Sequence, residues 1–247
     1  MQYFAEISAT ALSWLLLASL LTSLISTVAG FGGGILLLLV MASIVEPISL
    51  IAVHGLVQMG AVAWRVWLFK HEVSLVFCRR FVLGSVAGVL VFYQISDFLS
   101  PSFLQVSIGL FVLITTWLPT VFTLKGTRLQ IMTTGSGVTV LALCVGGVGP
   151  ALAAILRGLG FSKGAFVATI SACFFWVNLL KVGVYGALGF SFAEWMPFVV
   201  LMVILGALGV WAGRRLLGLL NEQLFSHLLK LLLTGLAVRI LWQGLAL

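Results

Sequence analysis

Long apolar blocks follow one another along almost the whole chain, with short polar or glycine-rich interruptions between them. Most blocks have about the 20 residues that a helix needs to cross a bilayer, and none alternates with the period of two that a membrane β-strand shows. The pattern therefore predicts an all-α polytopic membrane protein. The blocks lie at about residues 8–45, 48–69, 81–97, 102–121, 129–156, 164–188, 195–213 and 222–245.

Composition excludes a soluble enzyme. Of 247 residues, 62% are hydrophobic and 8% are charged, whereas soluble domains carry about 25% charged residues. No HExxH, Walker or GxSxG motif occurs, and the three cysteines have no CxxC spacing, so we expect no catalytic site, no metal and no cofactor. The net charge of +7 is typical of basic cytoplasmic loops and does not indicate a nucleic-acid partner.

Two blocks are interrupted by glycines. Block 8–45 is too long for one span at 1.5 Å per residue and contains Gly30-Phe31-Gly32-Gly33-Gly34. Block 129–156 contains Gly146-Gly147-Val148-Gly149-Pro150. We call these the first break and the second break, and we expect a helix to end and another to begin at each.

An internal duplication is indicated by the spacing of special residues. An offset of 116 positions pairs Gly30 with Gly146 and Arg65 with Lys181. Further on, an offset of 121 places Ser100-Pro101 against Asn221-Glu222, and both look like helix starts. We predict two repeats, 8–121 and 129–245, within an N-terminal unit 1–121, a cytoplasmic linker 122–128 and a C-terminal unit 129–247.

Loop charges predict the topology. If basic loops are cytoplasmic, block 129–156 begins and ends on that side, which favours a re-entrant hairpin with the second break at its tip. By the repeat, block 8–45 enters from the outer side, so each half has one hairpin and three spans and the halves are inverted. Arg239, which lies close to the predicted outer C-terminus, is the one basic residue that fits this topology poorly. The loop residues used are basic Lys70, Arg79, Arg80, Lys125, Arg128, Arg157, Lys163, Arg214 and Arg215, and acidic Glu6, Glu46, Asp97 and Glu194.

Inverted repeats with broken helices are typical of transporters that bind substrate between the halves. A helix that begins after a break directs unpaired N–H groups and its positive dipole end into the gap, which favours an anion. We expect the N–H groups of residues 32–35 and 147–151 to hold it. The alternative is that these glycines only let helices pack closely.

Ionisable residues inside spans are costly and usually functional. Arg65 and Lys181 each lie 35 positions after their break, and the only Asp and Glu of the predicted blocks, Asp97 and Glu222, stand at block ends. Snorkelling to the membrane surface is the alternative. His54, Gln58 and Asn178 are further candidates to line the cavity, or else buried polar groups satisfied locally. The complete predicted site is Gly30, Phe31, Gly32, Gly33, Gly34, His54, Gln58, Arg65, Gly146, Gly147, Gly149, Pro150, Asn178 and Lys181.

The two breaks, the duplicated halves and the length near 250 residues resemble the TauE/SafE family of membrane permeases, the sulfite exporter family. The resemblance implies transport of a sulfur-containing anion, such as sulfite or an organosulfonate like sulfoacetate, across the bacterial inner membrane. It also implies export, and the inverted repeats predict that the halves rock to give alternating access. Val148 and Pro150 depart from a fully glycine second break, which affects the symmetry of the site.

Other functions remain open on these residues. Export of an anion gains about 2.3 kcal/mol per 100 mV of negative-inside potential, so it needs no coupling ion, although His54 could carry a proton. An anion channel, a carrier of a non-sulfur organic anion and a membrane scaffold are the alternatives. A glycine face at Gly206, Gly209 and Gly213 could support a homodimer.

Overall fold

The computed structural model describes residues 8–29, 32–96, 99–117, 126–149, 152–153, 156, 158–216 and 222–245. These residues form nine helices and no strand, and six of the helices are long and apolar enough to cross a membrane. The prediction of an all-α polytopic membrane protein is therefore confirmed. The helices are α1 (Ala9–Ala29), α2 (Gly33–Ala42), α3 (Pro47–Leu68), α4 (Leu75–Ile95), α5 (Pro101–Trp117), α6 (Arg128–Val145), α7 (Lys163–Ala187), α8 (Met196–Leu216) and α9 (Glu222–Leu245).

The two matched helix starts lie where the sequence predicts them. Helix α5 begins at Pro101, and the hydroxyl oxygen of Ser100 accepts a hydrogen bond of 3.2 Å from the Phe103 N–H. This is the bond expected of a serine cap. Helix α9 begins at Glu222, while the capping candidate Asn221 lies outside the described residues.

Two predicted boundaries are wrong. Helix α8 ends at Leu216 rather than near residue 213, so Arg214 and Arg215 lie in its last turn and not in a loop. Helix α4 begins at Leu75 rather than near residue 81, so Arg79 and Arg80 lie inside its first turns and not in a loop. The two arginines stand between apolar residues that continue the helix, and long basic side chains near a helix end can reach water from there. Lys70 does lie in the connection, in a 3₁₀ turn at Lys70–Glu72.

Each break separates a long helix from a short one. Helix α1 has 21 residues and α2 has 10, so at 1.5 Å per residue α1 alone is long enough to cross a bilayer and α2 is not. Helix α6 has 18 residues, and the second break is followed by helical residues within 149–156. The first arm of each predicted hairpin is thus a candidate span by itself.

The short segments after the breaks are buried in protein. Helix α2 is apolar on all sides and packs against α1, α3 and α9, with Leu37, Leu38 and Leu39 at most 1% exposed. Leu152 and Leu156, after the second break, are fully buried in a separate cluster with residues of α4, α6 and α7. Interrupted backbone at membrane depth is tolerated in such surroundings, because neighbouring protein satisfies its polar groups.

Four extensive helix pairs organise the molecule: α1 with α8, α4 with α6, α3 with α7, and α5 with α9. Glycines bring two of these pairs together. A Cβ atom on Gly84 of α4 would overlap the Met132 carbonyl of α6, and one on Gly209 of α8 would overlap the Leu20 carbonyl of α1.

The predicted exposed glycine face on α8 is wrong. Gly206, Gly209 and Gly213 are buried, and each lies against residues of α1. The small residues serve the close approach of two helix backbones within the chain, so this face is not available to a second copy.

Candidate functional site

The second break packs against the helix that follows the first break. Gly146 and Gly147 of the second break lie against Leu38 and Ile35 of α2, which follows the first break. A cavity of about 40 Å³, measured as the space open to the centres of water-sized molecules, lies beside this contact. Nine of the predicted site residues line it: Gly32, Gly34, His54, Gln58, Arg65, Gly146, Gly147, Gly149 and Asn178.

Five predicted site residues are not placed in the lining. Gly33 packs against α1, where a Cβ atom would overlap the Thr22 carbonyl. Lys181 is fully buried but does not line the cavity. Gly30, Phe31 and Pro150 lie outside the described residues.

The first break places a helix start at the cavity. Gly32 caps α2 with φ 94° and ψ −41°, a conformation that side-chain-bearing residues rarely adopt. The first helical bond runs from the Leu36 N–H to the Gly32 carbonyl at 3.0 Å. The N–H groups of residues 33–35 are consequently not used by the helix itself and are oriented toward its N-terminal end.

The second break has the same kind of geometry. Helix α6 ends at Val145 and is capped by Gly146, with φ 83° and ψ −40°. The next helical bond runs from the Leu152 N–H to the Val148 carbonyl at 3.3 Å. A new helical segment therefore starts at about Gly149, where its first N–H groups have no partner within the helix.

Arg65 is the cation of the cavity. It is 2% exposed, lines the cavity from α3, and its Nε has no hydrogen-bond partner among the described residues. A buried guanidinium nitrogen without an acceptor is costly. A bound anion would supply that acceptor, which is the strongest indication of a ligand in the structure.

Lys181 and His54 form a hydrogen-bonded chain behind the cavity wall. The Lys181 ammonium donates to the Gly146 carbonyl at 2.8 Å, and its Nζ lies 3.5 Å from His54 Nδ1. The other ring nitrogen of His54, Nε2, lies 2.8 Å from the Gly34 carbonyl. Because a carbonyl only accepts, Nε2 carries a proton, and the chain connects the second break to the first residues of α2.

The two amide side chains are placed differently. The Gln58 amide lies against Gly34, where a Cβ atom would be 3.4 Å from it. The Asn178 amide nitrogen donates to the Phe174 carbonyl of its own helix at 2.8 Å. Asn178 thus uses one amide hydrogen locally while its residue still lines the cavity.

One polar lining residue was missed by the sequence prediction. Ser26 of α1 is buried and lines the cavity. It belongs to a buried polar stripe, Ser19, Thr22, Ser23, Ser26 and Thr27, whose spacing of three and four residues marks one helix face. That spacing is a signal from which the inward face of α1 can be predicted.

The electrostatics of the site favour an anion. Helices α2, α3, α4, α6 and α7 contain no Asp or Glu, so no carboxylate within them neutralises Arg65 or Lys181. Two helix starts add positive potential at the same place. A small oxyanion could accept bonds from the guanidinium and from backbone N–H groups together.

Comparison with known proteins gives one match. The model of the family described as "Sulfite exporter TauE/SafE" matches residues 15–240, which is nearly the whole chain. No match was found among curated proteins or among solved structures.

Proposed function

Because this chain belongs to the sulfite exporter TauE/SafE family, a family of membrane transporters of sulfite-type anions, we propose that it exports a small sulfur-containing oxyanion across the bacterial inner membrane. The anion binds in the cavity between the two breaks. Sulfite is the compact end of the proposed substrate class, and organosulfonates such as sulfoacetate are larger members.

The environment of Arg65 is the main support for this proposal. Arg65 lines the cavity, and its buried Nε has no acceptor among the described residues. The first residues of the helices after both breaks line the same cavity. Hydrogen bonds to an ionised group are about twice as strong as neutral ones, so an oxyanion gains from the guanidinium while relieving an unpaired buried group.

The size of the cavity supports a compact substrate. Since one water needs roughly 10–15 Å³ of this kind of volume, the 40 Å³ available corresponds to about three waters. A sulfite ion, with its sulfur and three oxygens, is of comparable size, while sulfoacetate requires the cavity to widen.

Alternating access is proposed from the way the helices pair. If α1 corresponds to α6 and α4 to α8, the pairs α1–α8 and α6–α4 are the same contact seen from each half. The pairs α3–α7 and α5–α9 then join corresponding helices. Two inverted repeats would produce this pattern, in which each half packs its helices against those of the other. Rocking of one half against the other would expose the cavity to each side in turn.

The experiment is counterflow in vesicles that contain only the purified protein. Vesicles are loaded with unlabelled sulfite, and uptake of labelled sulfite is compared with uptake into protein-free vesicles. Competition by methanesulfonate, sulfoacetate, taurine, sulfate and chloride then ranks the anions by shape and charge. We expect saturable counterflow, with sulfite and the small sulfonate as the strongest competitors.

The outcomes separate the alternatives. At a membrane potential clamped to zero, flux that unlabelled anion on the opposite side does not accelerate would indicate an anion channel, because an open pore has no carrier that must return. Counterflow in which chloride or a carboxylate competes better than every sulfur anion would contradict the proposed substrate class. No flux from correctly folded protein would contradict transport of these anions altogether.

A further inference from the structure

The Lys181–His54 contact holds two basic nitrogens close together in a fully buried place. Lys181 is 0% and His54 2% exposed, and Lys181 Nζ lies 3.5 Å from His54 Nδ1. Because His54 Nε2 already donates to the Gly34 carbonyl, only Nδ1 is left to take another proton, and it faces the lysine amine.

Two adjacent positive charges in such a place repel each other strongly. The pair can therefore hold at most one excess proton. With that proton, Lys181 is an ammonium that donates to the Gly146 carbonyl and to the imidazole. Without it, the neutral amine still has two N–H groups for the same two acceptors, so both states retain the observed hydrogen bonds.

The surroundings tie the charge of the pair to the occupancy of the cavity. Helix α2 has no ionisable side chain, and Tyr185, one turn beyond Lys181, donates its hydroxyl to the Leu143 carbonyl at 2.8 Å. The other ionisable residues on the packed helices include no carboxylate: Arg65 on α3, Arg128 and Cys144 on α6, Lys163 and Cys173 on α7, Cys78, Arg79, Arg80 and Tyr93 on α4, and Arg214 and Arg215 on α8. The carboxylate of Glu72 lies against Gly164 at the start of α7, seventeen positions before Lys181.

Arg65 keeps its charge, since a guanidinium is not deprotonated in proteins. When the cavity is empty, a charged Lys181 would be a second positive charge with no acidic partner on these helices. An anion between the breaks removes that repulsion and favours the ammonium. Anion binding and proton binding are thus reciprocal, because each must raise the affinity for the other by the same factor.

We infer that Lys181 and His54 form a proton-binding pair that takes up one proton together with the transported anion, so that this protein is an anion–proton symporter. The proton binds to Lys181 Nζ, with His54 as its fixed acceptor neighbour. This inference rests on the proposed function. One proton leaves with each exported anion, so export is driven by the outward anion gradient against any inward proton gradient, and no longer by the membrane potential.

The test is accumulation driven by a pH gradient alone. Vesicles with equal labelled methanesulfonate inside and outside are clamped at zero potential with potassium and valinomycin and made one pH unit more acidic outside. Methanesulfonate stays ionised throughout, so it carries no proton itself. Symport with one proton predicts about tenfold accumulation at the plateau, the concentration ratio that balances one pH unit.

The variants are Lys181→Gln and the double replacement Lys181→Gln with His54→Gln. We expect the double variant to reach a plateau ratio of about one. The plateau is an equilibrium ratio, so a slow variant still reports coupling as long as its counterflow exceeds that of protein-free vesicles. Lys70→Gln, which replaces an exposed lysine, is the matched control and should retain tenfold accumulation.

The possible results test symport, the assignment of the proton to Lys181 and His54, and transport itself separately. Wild-type counterflow of methanesulfonate without accumulation would overturn symport and leave the transporter intact. Tenfold accumulation in the double variant would overturn the assignment of the proton to this pair. Loss of counterflow for methanesulfonate and for sulfite in the wild type would instead overturn the proposed function.

Discussion

Arg65 and Lys181 occupy equivalent places in the two halves of the sequence, yet their surroundings differ. Arg65 lines the cavity, with Nε unpaired among the described residues. Lys181 lies behind the lining and donates to the Gly146 carbonyl, next to His54. One cation is free to contact a ligand, while the other is held by protein groups.

The helices that carry these cations differ as well. At the offset of 116, His54 and Gln58 of α3 correspond to Ile170 and Phe174 of α7. Polar residues of the lining are therefore concentrated on α3, and Lys181 finds its imidazole partner across the interface rather than in its own half. Duplicated positions can therefore separate into ligand binding and positioning once only one copy keeps its polar neighbours.

Replacement of Arg65 should give the largest effect on transport. In Arg65→Ala the anion loses a charge-assisted hydrogen bond of about 1.5–3 kcal/mol, so the KM for sulfite counterflow should rise about 10- to 100-fold. Arg65→Lys, which keeps the charge but loses the planar fork, should lie between Ala and the wild type.

Arg79→Ala is the matched control for that experiment. It removes the same kind of side chain from an exposed position on α4, and its KM should equal that of the wild type. A wild-type KM in Arg65→Ala would contradict a ligand role for this guanidinium and would remove the main difference between the two cations.

The second break can be tested through Gly146. Gly146→Ala places a side chain at φ 83°, which costs about 1–3 kcal/mol of strain, and its Cβ atom would lie 2.8 Å from Leu38 Cδ1. Since a chain of this size loses about 2–4 °C per kcal/mol, thermal unfolding in detergent should begin several degrees lower, with reduced flux.

Gly183→Ala supplies the comparison for Gly146. Gly183 lies in helix α7 with nothing within 4 Å of a built Cβ atom, and alanine is the better helix former by about 1 kcal/mol. We expect an unchanged or higher unfolding temperature. Equal destabilisation by both alanines would show that the conformation of the second break has no special importance.

The smallest effect is expected at Gly55, which allows the two central helices to approach. In Gly55→Ala a Cβ atom would lie 2.5 Å from Lys181 Cε, so the flexible lysine must shift. We expect about 1 kcal/mol of destabilisation, the lower end for overpacking, and a change of less than about tenfold in KM, because Arg65 is untouched. Guanidinium unfolding and counterflow measure the two effects, and a loss as large as that of Arg65→Ala would argue against different roles for the two cations.

Much of the fold follows from local pattern. The apolar blocks, the Ser100-Pro101 start and the interruptions at the two glycine clusters are signals within one turn or one span of helix, and each has its counterpart in the structure. The predicted start of α4 is too late because two adjacent arginines, Arg79 and Arg80, are typical of a loop, although a helix end at a membrane surface tolerates them.

The candidate site was predictable only as a set of residues. Glycine runs and cations inside spans are visible in the sequence, and nine of the fourteen predicted residues do line one cavity. Which of these residues contact a ligand and which contact other protein groups was not predictable. Whether the glycines at 206, 209 and 213 are exposed, or whether Lys181 faces a ligand or a carbonyl, depends on which helix lies opposite.

The sequence alone determined the class of protein, the helical content and the two places where helices are interrupted, because hydrophobicity over a span and the backbone freedom of glycine are properties of neighbouring residues. Tertiary packing brings residues of both breaks to one cavity, leaves Arg65 beside it with a nitrogen unpaired among the described residues, and joins Lys181 to His54 behind it. The contacts of Lys181 with His54 and of the second break with α2 connect residues more than a hundred positions apart. They arise from packing between helices, which no local pattern encodes.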